Sequence, residues 1–357
     1  MNGDAQALHK SPSVICWNCA RSVSLLLLSA SLGLAASAFA VAAESDTDPP
    51  PLIALDEAEA GAQADGTVIA LSESNLRVAL EGFSLHADCR GSGEVTILFE
   101  AGLGGSSLEW SAIQSALAPQ ARSCVYDRAG YGRSDPSPQT RDARHLAAEA
   151  DQLLDALGVG GPLILVGHSF GGFIVRLLAM LREADMLAMV LVDASHEDQL
   201  HRLETSQGRK MMPSGRHFFV SPASIPDSLP SSVRQRMRLH ARQRKTYAAL
   251  HAEMASFRRS AEQVGAARHL VDYPVLVVRR GVDLYAGESD GAGKTTIWNE
   301  LQRDLASISR QGRLIVAENS GHHVHADQPQ LLIDLLSELL GASGPAAPQD
   351  TARSRLP

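Results

Sequence analysis

The chain has 357 residues, of which 45% are hydrophobic, and its formal net charge is −8. A chain of this length can bury one large core, since α/β domains of about 250 to 300 residues commonly stay undivided. The negative charge argues against a nucleic-acid-binding protein, which normally presents a basic domain or stripe, and it favours a small neutral partner.

The N-terminal region has the pattern of an export signal. Residues 22–43 contain no charged side chain and follow Lys10 and Arg21. Small-residue sites at 38–40 and 41–43 are typical of signal-peptide cleavage, and a run of about 20 apolar residues also suffices for a membrane anchor. We therefore predict that residues 1–43 are a signal peptide or a signal anchor. Because the positive residues come first, the remainder is expected to be exported, either periplasmic or secreted.

The next segments predict a linker and a sheet. Residues 44–66 are rich in Pro, Asp, Ala and Gly, which is typical of a disordered linker, so we expect the folded domain at residues 67–340. Alternating segments at 76–80 and 83–88 flank Glu81-Gly82 and predict an antiparallel hairpin. Six short apolar runs follow, at 95–99, 124–126, 163–166, 189–192, 275–278 and 314–316. They predict a mostly parallel sheet of about eight strands with helices on both faces.

One interval interrupts this rhythm. Residues 194–272 form an insertion or lid, with a helical stretch at about 231–270. Its basic run is more often a solvated helix face than a binding surface. The residues of this run are Arg234, Arg236, Arg238, Arg242, Arg244 and Lys245. The tail at 341–357 is predicted to be disordered.

The strongest chemical motif is a glycine-flanked serine. The apolar strand at 163–166 leads into Gly167-His168-Ser169-Phe170-Gly171 and then into an apolar helix at 173–180. Small residues are needed on both sides of such a serine because the turn is strained and neighbouring backbone approaches closely. The pattern predicts a nucleophile elbow with Ser169 as the nucleophile.

This elbow and three further motifs resemble the α/β-hydrolase superfamily, in its serine esterase and prolyl-aminopeptidase-like branch, over about residues 75–340. Residues 100–106 (EAGLGGS) are similar to the oxyanion loop, 127–134 (DRAGYGRS) to the D-x-x-G-x-G-x-S turn, and 321–329 (GHHVHADQP) to the histidine loop. The resemblance implies an α/β-hydrolase fold with a helical lid and no cofactor. Ala101 stands where the family usually has histidine, which leaves open how the oxyanion loop is anchored.

The resemblance also implies the roles of individual residues. The backbone N–H groups of Leu103 and Phe170 would form the oxyanion hole. His322, directly after glycine, would be the general base, whereas His323 and His325 are expected to line the pocket or to hydrogen-bond locally.

The acid of the triad is less clear. Asp283 follows the strand at 275–278, near the family's acid position, but it lies one residue closer to the preceding glycine than usual. Asp193, at the end of the preceding strand, is the alternative, and a strand-end aspartate can also simply cap the next turn. We favour Asp283.

Two cysteines are candidates for a disulfide. Cys16 and Cys19 precede the apolar run and are not expected to serve the folded domain. Cys89 and Cys124 remain as an even pair in an exported domain. The resemblance implies that their two strands are antiparallel neighbours, so we predict a Cys89–Cys124 disulfide, with two buried thiols as the alternative.

Two other motifs are rejected. Residues 291–295 (GAGKT) resemble a phosphate-binding loop, but Glu288 occupies the position where that loop needs its first glycine. The histidines at 322, 323 and 325 lack the i,i+4 spacing of a zinc helix, so no metal is expected.

These observations favour a serine hydrolase that cleaves a small-molecule ester through a Ser-His-Asp mechanism. An aminopeptidase or amidase would need carboxylates to hold a free amine, for which Glu197 and Asp198 are candidates. A non-catalytic binding protein on the same scaffold is the third possibility, but such proteins typically lose a triad member. No nucleic-acid partner is expected, and contact with a membrane only through the N-terminal segment.

Overall fold

The computed structural model describes residues 73–204 and 225–342. The predicted signal segment, the predicted linker and nearly all of the predicted tail lie outside these residues. Among the helices of the two described ranges, none is both long and apolar enough to cross a membrane.

Eight strands form one sheet in the order β1-β2-β4-β3-β5-β6-β7-β8. β1 pairs antiparallel with β2, and β2 with β4, whereas the other neighbouring strands are parallel. The predicted hairpin and the predicted mostly parallel sheet are thereby confirmed. The strands are β1 Glu73–Leu80, β2 Phe83–Arg90, β3 Thr96–Glu100, β4 Arg122–Asp127, β5 Leu163–His168, β6 Met186–Val192, β7 Val275–Arg280 and β8 Gly312–Ala317.

Helices cover both faces of the sheet. Successive strand residues point to opposite faces, so Leu98 and Leu165 pack with α2, α3 and α7, while Ile97 and Ile164 pack with α1 and α10. Each inner strand is thus buried on both sides, which explains its unbroken apolar sequence. The helices are α1 Ser111–Leu117, α2 Ala143–Ala156, α3 Gly171–Leu181, α4 Gln199–Glu204, α5 Ser231–Ala241, α6 Arg244–Ala255, α7 Phe257–Ala266, α8 Gly291–Ala306, α9 Val324–Asp327 and α10 Pro329–Ala342.

Cys89 on β2 lies directly opposite Cys124 on β4 in the antiparallel register. Their Cα atoms are 4.1 Å apart and their sulfur atoms are at disulfide distance. Both side chains are buried. The predicted pair therefore joins two neighbouring strands of the core.

The helices α4 to α7 lie between β6 and β7, where the insertion is predicted. The predicted helical stretch is divided into α5, α6 and α7. Four of its arginines, Arg236, Arg238, Arg242 and Arg244, are exposed, which agrees with a solvated helix face. In contrast, Glu253 on α6 is completely buried.

Candidate active site

Ser169 occupies the turn between β5 and α3. Its backbone is left-handed, with φ 51°, a conformation that is strained for a residue with a Cβ atom. The Ser169 N–H donates to the carbonyl of Val192 on the neighbouring strand, at 3.1 Å. Gly171 is required here, because a Cβ atom at that position would lie 2.7 Å from the Ala101 carbonyl oxygen. This geometry is that of the predicted elbow, and it holds the serine at the carboxyl edge of the sheet.

His322, in the loop after β8, is hydrogen-bonded to Asp193, which directly follows β6. Its Nδ1 lies 2.7 Å from Asp193 Oδ2. The carboxylate also accepts from Arg280 Nη1 at 2.6 Å, from the Arg280 N–H at 3.1 Å and from Trp298 Nε1 at 2.9 Å. Asp193 is fully buried, and burial alone would raise the pKa of its carboxyl. The His322 hydrogen bond and the Arg280 charge outweigh burial, and they lower the pKa of Asp193.

Asp283, the favoured candidate for the acid, lies elsewhere. Its side chain is exposed in the turn after β7, where it accepts hydrogen bonds from the Tyr285 N–H, at 2.9 Å, and from the Thr295 hydroxyl. The structure brings His322 to Asp193 and not to Asp283. As the carboxylate that pairs with His322, the preferred Asp283 is therefore corrected to Asp193, the other candidate, because Asp283 is held by Tyr285 and Thr295 in the turn after β7.

A cavity opens beside Ser169. It measures about 500 Å³, part of it open to solvent, and is lined by Gly102, Leu103, Gly105, Glu109, His168, Ser169, His322 and His323. Leu103 belongs to this lining, and Phe170 follows the serine directly. Within the described residues, the N–H groups of Leu103 and Phe170 donate to no other protein atom. An oxyanion hole requires N–H donors without such an internal partner.

Arg128 anchors the loop that carries Gly102. Its Nη1 donates to the Ala101 carbonyl at 2.6 Å, and its Nη2 donates to the Gly102 carbonyl at 2.8 Å. The guanidinium is buried between the carboxylates of Glu100 and Glu253, with N···O distances of 2.7 and 2.9 Å. Burial raises the pKa of the Glu100 carboxyl. Arg128 therefore explains how this loop is anchored although Ala101 stands where the family usually has histidine. Sequence reasoning missed Arg128 although it lies inside the quoted 127–134 motif.

Three further histidines surround the cavity. His168 Nε2 donates to the His322 carbonyl at 2.9 Å, which supports the histidine loop. His325 Nε2 lies 2.9 Å from Glu109 Oε2, and His323 lines the cavity. Burial, reinforced by neighbouring histidines, lowers the pKa of His168 well below its usual value and that of His323 to about 4. His168 and His323 are therefore neutral at physiological pH.

The carboxylates considered for an amine-binding site are not at this cavity. Glu197 is paired with Arg176 at 2.6 Å and with Arg268 at 3.2 Å. Neither it nor Asp198 belongs to the cavity lining.

A strained serine on an elbow and a histidine held by a buried aspartate, at one edge of an eight-stranded, mostly parallel sheet, define the architecture of an α/β hydrolase. The chain belongs to the α/β hydrolase fold family, whose model matches residues 95–329. It is 30% identical over 257 residues to the uncharacterized protein YqjL of Bacillus subtilis (strain 168), which covers 71% of this chain and 87% of YqjL.

Solved structures of hydrolases share the fold. A thermophilic esterase from Thermogutta terrifontis superposes with a TM-score of 0.54 at 20% identity, over 76% of this chain and 98% of the esterase. The epoxide hydrolase CorEH superposes with a TM-score of 0.56 at 17% identity, over 75% of this chain and 99% of CorEH. At such identities the likeness concerns the fold alone.

Proposed function

We propose that this hydrolase cleaves a carboxylic ester of a small molecule through an acyl-enzyme, with Ser169 as nucleophile, His322 as general base and Asp193 as the acid of the triad. The observation that carries the proposal is the buried Asp193–His322 pair at 2.7 Å, next to the cavity that the strained Ser169 lines.

The hydrogen bonds dictate the direction of proton transfer. A carboxylate only accepts hydrogen bonds, so the Nδ1 atom of His322 carries the proton that faces Asp193, and Nε2 keeps its lone pair. This nitrogen accepts the Ser169 hydroxyl proton as Oγ attacks the ester carbonyl carbon. The Leu103 and Phe170 N–H groups stabilise the oxyanion. The protonated His322 then donates its proton to the leaving alcohol, and water releases the acid by the reverse sequence.

An ester is favoured over a peptide with a free amine. Glu109, the carboxylate in the cavity lining, is already engaged by His325 and by the Ser106 N–H, at 2.9 and 2.7 Å. It therefore has little capacity to hold an ammonium group, and Glu197 is paired with arginines.

Labelling with a fluorophosphonate, combined with turnover of esters of graded acyl length, tests the proposal. The unaltered chain should be labelled once and should hydrolyse at least one ester. Ser169→Ala should lose the label and retain at most a residual acceleration of about 10³ to 10⁴ over water. Ser115→Ala, which replaces an exposed serine on α1, is the matched control and should retain both the labelling and the ester hydrolysis. An unlabelled but folded chain would favour a non-catalytic binding protein.

A further inference from the structure

Four side chains beside the cavity form a cluster of metal-binding type. One ligand atom from each of Glu109, His168, His323 and His325 lies within 4.8 Å of the others. They come from separate elements: the short 3₁₀ helix Ser107–Trp110, the end of β5, and the histidine loop with α9. Spacing along the chain does not reveal such a cluster, which is why the sequence predicted no metal.

His168 presents an unused ring nitrogen. Its Nε2 donates to a backbone carbonyl, so its Nδ1 carries a lone pair, and this buried Nδ1 has no hydrogen-bond partner within the described residues. The side chain is only 2% exposed. A Cβ atom on Gly102 would lie 2.9 Å from Nδ1. The absence of a side chain at Gly102 therefore leaves space in front of this nitrogen.

His325 is arranged like His168, except that its Nε2 donates to a carboxylate and not to a backbone carbonyl. Its Nε2 donates to Glu109, its Nδ1 is buried without a hydrogen-bond partner in the described part of the chain, and its ring stacks on Trp110 with centroids 4.5 Å apart. Glu109 is itself fixed by the Ser106 N–H. Histidines that bind metal ions commonly donate their second ring N–H to a carboxylate or a carbonyl, which sets the tautomer and the ring orientation. Both histidines thus carry the outer hydrogen bond of a metal ligand.

We propose that this cluster is a zinc-binding site, with His168, His323 and His325 as nitrogen ligands and Glu109 as the supporting carboxylate. Three imidazole nitrogens, with a fourth position left for water, are a donor set that suits Zn²⁺. Ligand atoms around a tetrahedral zinc lie about 3.3 Å apart, given bonds of about 2.0 Å. The ligand atoms of the cluster, within 4.8 Å of one another, are therefore at most about 1.5 Å farther apart than in such a site.

The site would regulate the hydrolase rather than take part in its chemistry. Glu109, His168 and His323 line the cavity together with Ser169. A bound ion would occupy space next to the nucleophile, and binding should inhibit ester hydrolysis reversibly. The existence of the site does not depend on the proposed activity.

The test is a competition titration of Zn²⁺ against a chromogenic chelator. The protein is the full chain carrying Ser169→Ala, so that turnover plays no part, and Cys16→Ser with Cys19→Ser, so that the N-terminal cysteine pair contributes no ligands. One equivalent of Zn²⁺ should bind. Replacing the carboxylate by Glu109→Gln should weaken binding by about 10- to 100-fold, as loss of an outer partner typically does.

Loss of a ligand should cost more than loss of the carboxylate. His323→Gln is chosen because this residue is less buried than His168 and His325, and His269→Gln, on the exposed surface, is the matched control that should bind as before. Circular dichroism checks that each variant is folded. If His323→Gln misfolds, the visible spectrum of Co²⁺ bound to the parent protein is measured instead, because this spectrum distinguishes a four-coordinate site from an octahedral one. Absence of one-to-one binding, a folded His323→Gln that binds within twofold of the parent, or an octahedral Co²⁺ spectrum would each overturn the proposal.

Discussion

Asp193→Asn should abolish most of the activity because both oxygens of this carboxylate accept hydrogen bonds from surrounding donors. Oδ2 accepts from His322 and from Arg280 Nη1, and Oδ1 accepts from the Arg280 N–H and Trp298. An asparagine has one oxygen and one NH₂ group, so in either orientation the NH₂ group faces donors. His322 then adopts the wrong tautomer or loses its orientation, and by analogy with other triads kcat should fall by about 10⁴-fold.

The same substitution should also destabilise the fold. Arg280 is only 6% exposed and would lose its charged partner. Removing one member of a buried ion pair costs about 3–5 kcal/mol. Kinetic assays therefore have to be made well below the urea midpoint of the variant, and circular dichroism has to show that it is folded.

Asp283→Asn is the matched control, because it makes the same chemical change at the other candidate acid. Within residues 73–204 and 225–342, the exposed Asp283 accepts hydrogen bonds only from Thr295 and the Tyr285 N–H, so the change in kcat should stay within about threefold and the change in stability within about 0.5 kcal/mol. Steady-state ester hydrolysis of both variants compares them directly. A larger loss of kcat in Asp283→Asn than in Asp193→Asn, with both proteins folded, would refute the reasoning.

Three further predictions concern stability. Replacing Cys89 and Cys124 by alanine opens a cross-link over 35 residues and should lower the free energy of unfolding by about 3–4 kcal/mol, measured with urea under non-reducing conditions; an unchanged midpoint would mean that the thiols are free. Glu253→Gln leaves Arg128 with one carboxylate and should cost about 3–5 kcal/mol together with a lower kcat, whereas normal kinetics would show that this pair does not support the loop. Glu197 has its pKa lowered to about 2 because its arginine hydrogen bond outweighs burial. A carboxyl whose pKa is lowered stabilises the fold at pH values above its ordinary pKa of about 4.3, and this stabilisation is lost as the pH falls towards 2. Glu197→Gln should therefore be less stable than the parent at pH 7. Urea unfolding between pH 7 and pH 2 should show that the difference in unfolding free energy between the two proteins shrinks as the pH falls.

The sheet could be predicted from the sequence because its signals are local. Each inner strand is buried on both faces and therefore reads as a short apolar run, and the hairpin follows from alternation around Glu81-Gly82. The geometry of Ser169 was equally accessible, since glycine, serine and glycine between an apolar strand and an apolar helix leave few alternatives.

The carboxylate that contacts His322 could not be predicted because it depends on where two distant loops meet. Asp193 and Asp283 both follow strand ends at the same edge of the sheet. What distinguishes them is the reach of His322 and the counter-charge of Arg280, which is 87 residues from Asp193 along the chain. The only signal in the sequence was the spacing before Asp283, which is one residue shorter than usual. It argued against Asp283, in agreement with the contact between His322 and Asp193. The cluster of His168, His323, His325 and Glu109 could not be predicted for the same reason, since His168 and His325 come together only in the folded chain.

Arg128 shows how the insertion and the loop that carries Gly102 depend on each other. Arg128 donates hydrogen bonds to two carbonyls of the loop before Leu103. Because its guanidinium is buried, its positive charge needs carboxylate partners. Glu100 supplies one from β3, but Glu253 comes from α6, and the same carboxylate also contacts Arg141 at 3.2 Å and the Tyr131 hydroxyl at 2.9 Å. Displacing α6 would strip two buried guanidinium groups of a shared partner, which is costly in a low-dielectric interior. Withdrawal of this helix should therefore also release the loop that carries Gly102, because one ion-pair network links the position of α6 to the geometry of that loop.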